Sequence, residues 1–164
     1  MLRTHSVEKY CLGGFIQVNS FGPWWDTTIT IFNKFEDPQT QVVTWHRTVL
    51  HNNFWQATGN KVVIGNVVLD TNNIICRIPK NDKFLEKQDW IAVPNDEMGN
   101  YFTLGEGDII VKGEVTDDIN EYQTGHRSSD LLKKYKGLQG CMEIQQWSNN
   151  TGHRGNEHYF ASGK

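Results

Sequence analysis

The chain has 164 residues, 12% of them aromatic, and its 16 Lys and Arg against 19 Asp and Glu give a formal net charge of −3. This length predicts one domain with a single core, and the acidic balance argues against a dedicated nucleic-acid-binding surface, which usually carries a basic excess. Three widely spaced cysteines without a CxxC motif argue against a disulfide framework and favour a reducing compartment.

The clearest secondary-structure signal is an alternating pattern in residues 25–50. Residues 1–24, which precede it, have no clean periodicity and are predicted to form an N-terminal extension or arm. Within each half of the pattern the main apolar positions share one parity: Ile29, Ile31 and Phe35, then Val43, Trp45 and Val49. Alternation on both sides of a Pro-containing turn predicts a β-hairpin whose strands each turn a mainly apolar face to the core.

Residues 52–73 have a looser pattern and are predicted to form a long loop or ribbon that leaves the sheet. Turn formers surround two aromatic residues at its start, and a glycine interrupts the apolar run that follows. Because long loops in compact domains are often functional, we expect a functional loop here and treat it as a candidate interface. Its candidate contact residues are His51, Asn52, Asn53, Phe54, Trp55, Lys61 and Gly65.

Further strands are predicted at residues 74–79, 107–115 and 141–147, and one short helix at residues 128–136. The helix has serines and an aspartate at its start, lysines near its end and a glycine after it, which are the residues that cap and stop helices. Cys76 lies in an apolar strand, so its thiol is expected to be buried and inert.

The number and length of these elements predict a mainly β fold. We expect a small β-barrel or sandwich of six to seven short strands with one short helix and extended termini. Residues 25–147 would form the barrel domain. Residues 148–164 are polar and rich in Gly, Asn and His, and are predicted to be a C-terminal tail or an arm on a partner.

No motif for catalysis or metal binding emerges. The available zinc ligands are His153, His158 and Cys141, but a structural zinc site needs four ligands with close-paired spacing. Three carboxylate pairs lie in turns or beside glycine, where aspartate commonly bonds its own backbone: Asp96-Glu97, Glu106-Asp108 and Asp117-Asp118. We therefore predict a protein that is not an enzyme and has no metal or cofactor. The N-terminus lacks a signal-peptide pattern, and no window approaches about 18 apolar residues, so a soluble protein without membrane contact is expected.

Binding of single-stranded nucleic acid stays open as an alternative. An OB-type barrel could stack bases on four aromatic residues if these were exposed: Phe54, Trp55, Tyr101 and Phe102. Against this, the lysines and arginines are scattered, and they cluster only in residues 127–136.

A resemblance to known proteins rests on four segments: WDTTITIFNKFEDPQTQVVTWHRTVLHNNFW, NIICRIP, GDIIVKGEV and MEIQQWSNNTG. Together they cover most of residues 25–152. The chain resembles small head-morphogenesis proteins of tailed phages and of prophages of Gram-positive bacteria. The order of its elements is similar to that of head–tail connector or head-closure stopper proteins, which have a small β-barrel with a long loop after the first hairpin. The N-terminal stretch and the polar C-terminal tail depart from that pattern.

The resemblance implies a structural virion protein that forms a homo-oligomeric ring, hexameric or dodecameric, in the virion neck. Its partners would be a portal or adaptor on one side and tail-terminator or tail-tube proteins on the other, with genomic DNA passing through without sequence-specific binding. The loop at residues 52–73 would reach toward the DNA channel. The protein would be made in the cytoplasm of the host bacterium. A minor capsid or tail-completion protein is the alternative within the virion. The candidate assembly contacts are Trp24, Trp25, Arg127, Lys133, Lys134, Tyr159 and Phe160.

Overall fold

The computed structural model describes residues 22–164 except residues 60, 65, 71, 137–139 and 153. The strands are β1 (Thr27–Glu36), β2 (Val43–Thr58), β3 (Lys61–Ile64), β4 (Val67–Asp70), β5 (Asn73–Pro79), β6 (Ile109–Lys112), β7 (Cys141–Asn149) and β8 (His158–Gly163). The helices are α1 (Lys87–Ile91), α2 (Ser128–Lys136) and a 3-10 turn (Met98–Asn100). None of the helices in these ranges is long and apolar enough to cross a membrane. Of the predicted N-terminal arm, only residues 22–24 are described.

Six strands close into an antiparallel barrel in the order β1-β2-β5-β8-β7-β6, which confirms the predicted β-barrel. The helix predicted at residues 128–136 is α2. Strands β3 and β4 form a separate two-stranded sheet. It lies between β2 and β5 in the sequence, although these two strands are neighbours in the barrel. The barrel has no free edge, because each of its strands pairs with a neighbour on both sides.

The predicted faces of the first hairpin were wrong for β2. Ile29 lies opposite Leu50 and Ile31 lies opposite Thr48, and directly opposite residues share a face. The side chains on the parity of β2 that contains Thr44, His46 and Thr48 therefore point into the barrel. The side chains on its more apolar parity point outward. Burying Thr48 is tolerated because its hydroxyl lies 3.0 Å from the carbonyl oxygen of Tyr101 and 3.2 Å from that of Gly99.

The outer face of β1 is covered as well, by α2 and the segment before it. Apart from the interior core, a second apolar cluster joins these elements: Phe32, Ile109, Val111, Val115, Leu131 and Cys141. Trp45 and Tyr135 pack against its rim. The barrel is thus two-layered on this side, which explains why apolar residues occur on both parities of the first hairpin.

The start of the predicted long loop is instead regular strand. A bulge opposite Thr27 and Ile29 lets β2 leave β1 and continue along β5, pairing Phe54 with Arg77 and Thr58 with Asn73. Asn52 has a positive φ of 62°, and the buried side-chain amide of Asn53 donates to the carbonyl oxygen of Leu50 at 2.9 Å. Asparagine suits position 52 because it tolerates the left-handed region, and it suits position 53 because its side chain bonds local backbone.

The C-terminal tail prediction was wrong, because β8 closes the barrel between β5 and β7. Tyr159 and Ala161 are buried in the interior cluster. At Gly163 a Cβ would collide with the carbonyl oxygen of Glu143, so only glycine fits there. The alternation in HYFASG is a period-two signal, but it is short and follows a polar stretch. Cys76 is fully buried, as predicted, and burial raises the pKa of its thiol.

Candidate assembly surfaces

One outer face of the barrel carries a row of two aromatic rings and an arginine. Phe54 on β2 lies directly opposite Arg77 on β5, and Arg77 lies directly opposite Phe160 on β8. All three side chains are partly exposed, and the guanidinium carbon of Arg77 stands 5.2 Å from the centroid of the Phe54 ring. A cation over an aromatic face is attractive because the ring carries negative charge on its face. We call these three residues the aromatic row.

The N-terminal end of the described chain reaches the aromatic row through a tight turn. The amide of Trp25 donates to the carbonyl oxygen of Gly22 at 3.3 Å, and Gly22 has a φ of +88°, which favours glycine. Trp25 is buried and its ring lies 5.9 Å from that of Phe54 and 6.0 Å from that of His158. Trp24, by contrast, is 67% exposed. Of these two predicted contacts, Trp24 is available to a partner, whereas Trp25 is buried and packs beside Phe54 of the row.

A second exposed surface lies at the tip of the β1–β2 hairpin. The amide of Val43 donates to the hydroxyl oxygen of Tyr122 at 3.0 Å, which fixes the tyrosine beside Val42. Tyr122 is 67% exposed and Val42 is also exposed. Two carboxylates flank them, since Glu36 pairs with Val43 in the hairpin and Glu121 precedes the tyrosine in the chain. We call Val42, Tyr122, Glu36 and Glu121 the tip surface.

The β3–β4 ribbon is a third feature, and it lies within the predicted interface loop. Six of the eight residues in its two strands are aliphatic: Val62, Val63, Ile64, Val67, Val68 and Leu69. The register pairs Lys61 with Asp70 and Val63 with Val68, and Val63 is 65% exposed. A two-stranded sheet is marginally stable by itself in water. A ribbon as apolar as this one therefore favours contact with another surface. Lys61 lies in β3, whereas Gly65 is outside the described residues.

The remaining predicted contacts divide between exposed and engaged side chains. Arg127 and Lys133 are exposed, and Tyr159 is buried in the barrel. Lys134 donates to a carboxylate oxygen of Asp117 at 2.6 Å, and the hydroxyl of Tyr135 donates to the other at 2.7 Å. These two hydrogen bonds hold the pKa of Asp117 below its usual range, and the bond from Lys134 has the larger effect. The pair fastens the loop before α2 to the helix.

Among the six carboxylates considered above for catalysis, Asp108 is the most buried. Its oxygens accept hydrogen bonds of 2.8 Å from the side-chain amide of Asn33 and from the backbone amide of Lys34, and Lys87 approaches to 4.0 Å. Burial raises the pKa of Asp108, and the charge of Lys87 and these hydrogen bonds oppose that rise. The carboxylate thereby joins β1 to the start of β6. It serves the fold, because protein donors occupy both of its oxygens.

The four aromatic residues proposed as a base-stacking platform do not share one exposed face. Phe102 is fully buried in the interior cluster, and Trp55 packs against that cluster on the opposite parity of β2 from Phe54. Within the described part of the chain, no group of three or more His, Cys, Asp or Glu side chains could hold a metal ion. His153, one of the zinc ligands considered, lies outside the described residues.

Sequence reasoning missed Arg77 in the aromatic row and all four residues of the tip surface. Arg77 joins two predicted contacts, Phe54 and Phe160, into one row, but they are 106 positions apart in the sequence. The strand registers bring them together, and no local pattern predicts these registers. Tyr122 lies in an irregular loop, and its place beside Val42 depends on the packing of that loop over the hairpin.

A family model described as a family of unknown function (DUF6751) matches residues 24–164. No curated protein and no solved structure matches the chain.

Proposed function

The chain belongs to this family of unknown function, DUF6751, and we propose that it is a structural subunit of the neck of a tailed phage or prophage. It would act by assembly rather than by catalysis, as a ring between the portal or adaptor and the tail. The observation that carries the proposal is the β3–β4 ribbon, an aliphatic two-stranded sheet inserted into a barrel that has no free edge. Such an insertion favours contact with other subunits over work as an isolated domain.

The position of the ribbon is compatible with a role at the DNA channel. It follows β2 and precedes β5, which is where head-closure proteins have their long loop, as the sequence resemblance implies. A net charge of −3 supports a surface that lets DNA pass, because each lysine or arginine on a phosphate would release counterions and strengthen binding. The DNA would thus be a passing cargo rather than a ligand.

Electron microscopy of virions tests the proposal directly. We expect the chain in a symmetric ring between portal and tail, with the ribbon at a contact between subunits or facing the channel. A position in the capsid shell or at the end of the tail would instead identify a minor capsid or tail-completion protein. Particles that assemble fully without the chain would overturn all of these roles.

A ribbon replacement separates assembly from folding. Because Thr58 and Asn73 are direct partners, an Asn-Gly turn in place of residues 59–72 can close the β2–β5 hairpin. We expect the variant barrel to fold with a melting temperature within a few degrees of the parent, whereas particles that carry it fail to retain DNA or to join tails. Normal infectious particles with this variant would contradict a role for the ribbon.

A further inference from the structure

We propose that one copy's aromatic row, with Trp24, docks on the tip surface of the next copy, so that the second subunit is the partner of both surfaces. This inference rests on the ring proposed above and names the contact that would build it. It draws on residues of the barrel itself and does not involve the ribbon.

The two surfaces lie near opposite ends of one strand. Val43 begins β2 at the tip surface, and Phe54 lies eleven residues further along the same strand. At about 3.3 Å per residue, these positions are separated by roughly 35 Å, reduced somewhat by the bulge. One copy therefore cannot bring its own two surfaces together. A contact between two different surfaces is heterologous, and repeating it produces a closed ring or a filament.

The charges on the two surfaces are complementary. Among the described residues no carboxylate forms an ion pair with Arg77, although its guanidinium is partly buried against Phe54. The tip surface offers Glu36 and Glu121, and within the described part of the chain a single oxygen of Glu121 accepts a hydrogen bond, from the indole nitrogen of Trp45 at 3.0 Å. A guanidinium recognises a carboxylate through a planar pair of hydrogen bonds.

The side chains are also of the kinds that dominate binding energy at protein interfaces. Tryptophan, tyrosine and arginine are enriched at interface hot spots, which are centred on rigid, well-packed anchors. Trp24 and Tyr122 are the two most exposed large apolar side chains described. Tyr122 belongs to the tip surface, and Trp24 precedes Trp25, which packs on the aromatic row. Trp25 and the Tyr122 hydrogen bond hold their surroundings in place before any partner arrives.

The test uses two full-length variants, each lacking one surface. The row variant carries Trp24→Ser and Arg77→Glu, and the tip variant carries Val42→Ser and Tyr122→Ser, so that the two altered surfaces do not attract each other. Native mass spectrometry over a range of concentrations measures the assembly of each protein alone and of the two mixed. We expect the concentration needed for rings to rise at least about 30-fold for each variant alone, as loss of a hot spot implies.

The mixture gives the decisive result. The row variant keeps an intact tip surface and the tip variant keeps an intact row, so one contact is possible and growth must stop at a one-to-one heterodimer. A matched control, Ile91→Ser, removes an exposed apolar side chain on α1 outside both surfaces and should leave rings unchanged. Circular dichroism checks that every variant is folded.

Three outcomes would overturn the proposed contact. They are rings formed by either variant at the wild-type concentration, a mixture that stays monomeric, and a wild-type chain that remains monomeric up to its solubility limit. A different result would contradict the proposed place in the neck. If rings in vitro depend on these two surfaces but the chain is missing from particles, the contact is supported and the place in the neck is wrong.

Discussion

The β1–β2 hairpin and the β3–β4 ribbon are both antiparallel pairs rich in β-branched residues, yet their surroundings differ. In the first, Ile31 faces the barrel interior and its neighbour Phe32 faces a second cluster beneath α2, so both sides are covered. The ribbon is a separate sheet, and its Val63 is 65% exposed. The comparison shows that aliphatic content predicts strands without saying what covers them. Distant segments of the same chain cover the hairpin, and we propose that other subunits cover the ribbon.

The largest expected effect tests whether the outer side of the hairpin is truly core. Phe32→Ala removes a ring that is 1% exposed in the second cluster, so we expect the free energy of unfolding to fall by about 3–5 kcal/mol in urea titrations. The loss combines lost burial with an unfilled cavity. If only one face of β1 were covered, the substitution would cost less than about 1 kcal/mol, and that result would contradict the two-layer description.

Much of this architecture could be predicted from local patterns, and the rest depends on long-range pairing. The first hairpin, α2 and the burial of Cys76 follow from alternation, capping residues and an apolar run, which are local properties. The inward position of Thr48 could not be predicted, because it depends on carbonyl acceptors in a turn about fifty residues away. The aromatic row depends in the same way on the β5–β8 register, since Phe160 was assigned to a tail.

The next prediction concerns the contact that joins α2 to the segment before it, which together cover the outer face of β1. Asp117 joins the loop before α2 to Lys134 and Tyr135, and its side chain is 27% exposed. We expect Asp117→Asn to lower the free energy of unfolding by about 1 kcal/mol at pH 7, after allowing for solvent screening. Asp118→Asn is the matched control, because that side chain is 87% exposed and should change stability by less than about 0.3 kcal/mol.

The effect of Asp117→Asn has a defined pH dependence. The folded-state pKa of Asp117 lies below its unfolded value, so its stabilisation is present above the ordinary aspartate pKa of about 3.9 and is lost as the pH falls through the folded value. Urea titrations at a series of pH values should therefore show parent and variant converging as the pH falls below about 3.9. A difference that persists undiminished there would mean that Asp117 stabilises the loop by packing rather than by charge.

The smallest expected effect on folding belongs to the ribbon. Val63→Ser replaces an exposed aliphatic side chain, so the free energy of unfolding of the monomer should change by less than about 0.5 kcal/mol. The same change should reduce incorporation of the chain into particles, because it makes an apolar contact surface polar. Urea titration and quantitative mass spectrometry of purified virions measure the two effects separately. A loss of more than about 1.5 kcal/mol would show that Val63 is part of the monomer's own packing, and the contrast with the hairpin would no longer hold.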